Sequence, residues 1–132
     1  MRKLFFENVL ATVVLAVVLA LAAPMAAHAL DLNTAPLPTG LSSGKVKCVV
    51  SNVSTKTGGV GARMFATDGT DLGGFGPGVP LAANATTQTD PIDLSTDAPE
   101  ASYCRCTVPN KKFRCSLVHT NNGDLLEVIP GQ

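Results

Sequence analysis

Four cysteines, Cys48, Cys104, Cys106 and Cys115, are the residues whose type and spacing could carry chemistry. As four thiolates they would suit zinc or cuprous copper. The Cys104-Arg105-Cys106 spacing argues against this, because structural zinc pairs usually leave about two to four residues between ligands. A redox pair would be expected as Cys-x-x-Cys near a helix start, a pattern this sequence lacks. An even count in an exported chain is most simply two disulfides. Neither a metal nor another cofactor is expected.

Other catalytic groups are sparse. Beyond residue 29 the one histidine is His119, and no serine sits in a nucleophile-elbow context. Asp68-Gly69-Thr70-Asp71 and the set Asp90, Asp93 and Asp97 offer too few oxygens at a defined spacing for calcium, and read as solvated turns. With no tryptophan and one tyrosine, a carbohydrate platform is poorly supplied. No catalytic residue is assigned.

The elements that position the cysteines centre on Ser102 to Val118, where β-branched and aromatic residues alternate with polar ones on both sides of Pro109-Asn110-Lys111-Lys112. This reads as a hairpin. With Asn110-Lys111 as the turn, Val108 faces Phe113 and Cys106 faces Cys115. Directly opposed residues at a non-hydrogen-bonded position come closest to disulfide range. Cys104 lies on the same face, and its remaining partner is Cys48, which shares an apolar strand face with Val46 and Val50. Exchange of the middle cysteines, giving Cys48 to Cys106, is the competing arrangement. Pairing Cys104 with Cys106 would force a strained short ring. By chain entropy the long link contributes about 4 kcal/mol against about 3 for the hairpin bridge. Arg105, Lys112 and Arg114 are expected on the hairpin face opposite the cysteines, as an acceptor for an anionic surface or partner or as a plain solvated face.

The chain opens like an export signal. Arg2 and Lys3 precede the apolar run Val9 to Ala23, and Ala27-His28-Ala29 is a small-x-small cleavage site. The run is shorter than the roughly 20 residues of a spanning helix, and Pro24 interrupts its extension. Residues 1–29 are therefore expected to be removed, leaving one domain in the periplasm or extracellular space with no stable membrane span. Removing Arg2, Lys3 and Glu7 from ten basic and ten acidic residues leaves eight against nine. That balance gives no bulk drive toward nucleic acid.

Residues 30–44, with their Pro, Gly and Ser, read as a flexible leader to a domain over 45–132. Strands are expected over Lys45 to Val53, Val60 to Thr67 and Ala85 to Ile92, and in the final segment from Asp124 to Ile129. Asp68-Gly69 and Asn122-Gly123 mark tight turns. Gly73 to Pro80 reads as an irregular connection and Asp90 to Glu100 as a long acidic one. No sustained helical period follows residue 29. Seven or eight short strands describe an all-β, antiparallel two-sheet sandwich, immunoglobulin-like or jelly-roll-like.

The segments Cys48-Val49-Val50-Ser51-Asn52-Val53-Ser54, Asp68-Gly69-Thr70, Tyr103-Cys104 and Phe113-Arg114-Cys115-Ser116-Leu117 resemble small exported bacterial β-sandwich proteins of unknown function. The resemblance implies a disulfide between the early strand cysteine and the Tyr-Cys cysteine, and brings no catalytic residue. The expectation is a non-enzymatic exported module that binds or assembles with an envelope or extracellular component. The alternative is a small thiol or metal-binding protein using the cysteine cluster.

Overall fold

A computed structural model describes residues 29–38, 43–94 and 102–132. Nearly all of the expected export signal, part of the leader and the end of the acidic connection lie outside the described residues. Nine strands follow in order: β1 Leu30–Asn33, β2 Lys45–Asn52, β3 Gly58–Phe65, β4 Asp71–Leu81, β5 Thr86–Gln88, β6 Ile92–Asp93, β7 Tyr103–Val108, β8 Phe113–Asn121 and β9 Asp124–Pro130. They form two antiparallel sheets. One has the order β1-β7-β3-β4, the other β5-β2-β8-β9, with β6 pairing the start of β2.

Period-two alternation decides which side of each strand is buried. Val46, Cys48 and Val50 of β2, with Phe113, Cys115 and Leu117 of β8, point inward from one sheet. Val60, Ala62 and Met64 of β3, with Cys104, Cys106 and Val108 of β7, meet them from the other. Asn52 is the buried polar member of β2. Its amide donates to the carbonyls of Lys56, Leu81 and Ala82, and its oxygen accepts from the backbone and hydroxyl of Ser54. Burial of an amide costs little once its hydrogen bonds are made, so Asn52 ties the 52–56 turn to the end of β4.

The nine strands exceed the expected seven or eight, the strand expected over Ala85 to Ile92 is divided into β5 and β6, and three further expectations are corrected. The segment around Pro109 to Lys112 does not close a hairpin. β7 lies between β1 and β3, whereas β8 lies between β2 and β9, so the chain arches from one sheet to the other. Alternation specifies an inward face without specifying the neighbour. In an arch the two inward faces meet across the core instead of lying side by side.

The leader also begins as a strand. Leu30 to Asn33 pairs with Val108 to Arg105, placing Leu30 and Leu32 against the core and leaving Asp31 and Asn33 outside. Four residues give too little alternation to stand out from a leader composition.

Gly73 to Pro80, expected as irregular, belongs to edge strand β4, where prolines do not break a ladder on their free side. Pairing with β3 steps from Val60↔Val79 to Ala62↔Phe75, so Gly76, Pro77 and Gly78 stand against the single residue Gly61. Gly61 must be glycine for this bulge, since a Cβ there would lie 2.8 Å from the Pro77 nitrogen. The Asn-Gly turn behaves as expected. Asn122 and Gly123, at φ 51° and 90°, connect β8 to β9 in left-handed geometry.

Gly61→Val should therefore lower stability by about 1–3 kcal/mol through overpacking against Pro77. Gly76→Ala, whose added carbon meets nothing within 4 Å, should stay within about 0.5 kcal/mol of the parent. Denaturant unfolding of both variants checks this contrast.

Candidate functional site

The cysteines pair Cys48 with Cys104 and Cys106 with Cys115, at Cα separations of 5.7 and 5.9 Å. Both bonds cross from one sheet to the other, the first from β2 to β7 and the second from β7 to β8. The expected pairs form, but the second does so across the sandwich and not across a ladder. Among the described residues no cysteine is free, and no group of three or more His, Cys, Asp or Glu is placed to hold a metal. Sulfur already bonded to sulfur supplies no thiolate for ligation or nucleophilic attack.

Two threonines clamp the longer bond, and sequence reasoning gave no sign of them. The Cys48 N–H donates to the Thr89 hydroxyl at 3.0 Å, while the Thr89 N–H donates to the Cys48 carbonyl at 3.0 Å. Thr34 does the same for Cys104, accepting its N–H at 2.9 Å and donating to its carbonyl at 3.0 Å. Both threonines are buried.

His119 is buried on the inward face of β8, with Nε2 3.0 Å from the Ser43 carbonyl oxygen. That contact is structural. Asp68 lies in the exposed turn before β4, and Asp71 is the exposed first residue of that strand. The Asp68 carboxyl is held below its ordinary range chiefly by the Thr70 backbone N–H. Asp71 is lowered first by the Gly73 backbone N–H and then by the Arg63 side chain. Asp93 stands opposite Lys45 at the end of the β6–β2 ladder; Asp97 is outside the described residues.

The expected cationic face is divided. Arg105 projects from the outer face of the β7 sheet, and Arg114 from the outer face of the β8 sheet. Two packed sheets lie about 10 Å apart before their outward side chains are counted. Lys112 sits in the arch, and Arg114 donates to the carbonyls of Lys111 and Phe113. The structure brings Arg105 instead beside Arg63, its directly opposed partner in β3.

Around this pair lies the most chemically distinctive surface of the described residues. Arg63 is half exposed and ion-paired with Asp71. Arg105 donates from Nε to the Asn33 side chain at 3.4 Å, and its guanidinium lies 4.8 Å from the centre of the Phe65 ring, within cation–π range. Phe65 stacks in turn on Tyr103, its own cross-strand partner, with centroids 5.7 Å apart. Beside them is a groove of about 240 Å³ between Arg63, Arg105, Phe65, Phe75 and Pro77, with Asp31 and Thr107 at its other side. The alternation of β3 placed Arg63 and Phe65 on one face. Their neighbours on β7 required knowledge of the strand order.

No protein family matches this chain, and no curated protein or solved structure is significantly similar to it.

Removing the Cys48–Cys104 bond by double alanine substitution should cost more than removing Cys106–Cys115, because the loops span 56 and 9 residues, for chain-entropy contributions of about 4 and about 3 kcal/mol. Paired denaturant titrations read this order. In an NMR pH titration both Asp68 and Asp71 should ionise below the ordinary aspartate range. Their contribution to stability is then present above the unfolded value and lost as pH falls through the lowered folded one. Arg63→Gln should raise Asp71 part of the way and leave Asp68 unmoved.

Proposed function

We propose that this is an exported, non-enzymatic β-sandwich that binds or assembles with another component of the cell envelope or extracellular space. The observation that carries the reading is the placement of Arg105. It lies between Cys104 and Cys106, so the strand presenting it outward is bonded covalently to the opposite sheet on either side of it. A rigid backbone lowers the ordering cost of binding. Arg63, Phe65 and Tyr103 extend that surface across the neighbouring strand. Two buried disulfides belong to a non-reducing environment, and the export signal expected at the start of the sequence provides the route to it.

A thiol or metal-binding role would need cysteines that the two bonds consume. Intact mass of the protein recovered from the exported fraction separates the readings. The proposed module should begin at Leu30, weigh four hydrogens less than its reduced form and resist alkylation until reduced. Free thiols or added metal mass would replace it with thiol or metal chemistry.

A further inference from the structure

We infer that the groove beside Arg63 and Arg105 is a binding site for a single Asp or Glu carboxylate on a polypeptide segment of a partner. The inference rests on the binding-module reading and gives that surface its ligand chemistry. Like charges placed directly opposite on neighbouring strands weaken a sheet. Here each guanidinium is braced from a different side, Arg63 by Asp71 and Arg105 by Phe65 and Asn33. Among the described residues, Arg105 spends only Nε on a hydrogen bond, leaving its terminal amino groups for a ligand. A planar fork of N–H donors matches a carboxylate, and such charge-assisted bonds are among the stronger polar contacts.

Size and charge narrow the ligand. The groove, about 240 Å³, is smaller than the roughly 300–1,000 Å³ of sites that enclose whole small molecules. It suits one side chain. Asp31 and Asp71 already offset the two arginines, so no surplus positive charge is available for a phosphate dianion. A singly charged carboxylate adds less repulsion. Phe65, Phe75 and Pro77 offer apolar contact to the methylenes behind an acidic head.

The test is a titration of the disulfide-intact chain, following the Arg Nε–H signals by NMR. The probes are an N-acetylated, C-amidated glycine peptide carrying one glutamate, the same peptide with glutamine in its place, an oligolysine, inorganic phosphate and polygalacturonate. Saturable shifts at Arg63 and Arg105 with the glutamate peptide and not with its glutamine counterpart, Arg114 staying unmoved, support the site. Arg105→Gln should then weaken binding about tenfold or more, the expected loss for one charge-assisted hydrogen bond. Arg105→Lys keeps the charge, guards against a folding defect and should weaken binding less, while Arg114→Gln should leave it unchanged. Equal shifts at Arg114, displacement by phosphate at matching concentration, a response to polygalacturonate alone, or no response to any probe would each overturn the assignment. Any of these in a chain whose mass shows two intact disulfides sinks the carboxylate site and leaves the module reading standing. Free thiols in that mass would sink the reading itself.

Discussion

Two covalent bonds between the sheets hold β7 in place, and the rest of the molecule is arranged around that strand. The inward residues of β7 are Cys104, Cys106 and Val108, and the cystines join it to β2 and to β8. Such staples matter in a small domain whose core is built largely from short side chains. Among the described residues Phe113 is the largest fully buried one, accompanied by valines, Ala62, Met64 and Leu117. Small chains bury a smaller fraction of their surface than large ones, so limiting the freedom of the unfolded chain is an effective source of stability. The threonine clamps at Cys48 and Cys104 also satisfy the backbone groups where the edge segments meet the bonded strands.

What is fixed inside also fixes what is displayed outside. Side chains alternate along β7, so Tyr103, Arg105 and Thr107 necessarily face away from the cystines. β1 supplies Asn33 and Asp31 along one flank, the latter bonded to the Thr107 hydroxyl at 2.8 Å. β3 supplies Arg63 and Phe65 along the other. The glycine bulge of β4 at Gly76 to Gly78, opposite Gly61, brings Pro77 over the sheet as a wall of the groove. The proposed binding surface is thus composed from three strands and an edge bulge, with its central strand tied from behind.

The sequence made some of this legible because the physics involved is local. Alternation in Lys45 to Asn52 revealed the face carrying Cys48, and Asn122-Gly123 signalled its own turn geometry. The Cys106–Cys115 pair was expected from a hairpin register that the arch does not contain, and it forms because both residues face inward from opposite sheets; Cys104 was left to Cys48 as its remaining partner. An arch and a hairpin differ in which backbone groups pair, and those partners lie far apart in sequence, beyond the reach of any local pattern. The same limit separated Arg105 from Arg114 and concealed Arg63 as its neighbour. In β4 the abundance of glycine and proline suggested a loop, whereas a sheet edge with a bulge accommodates both residue types.

Peptide mapping under non-reducing conditions tests the cross-linked β7 most directly. Trypsin, cutting after lysine and arginine, places the four cysteines in four peptides: residues 48–56, 64–105, 106–111 and 115–132. The structure predicts 48–56 joined to 64–105, and 106–111 joined to 115–132. Finding 48–56 joined to 106–111, or any of the four peptides unlinked, would contradict it.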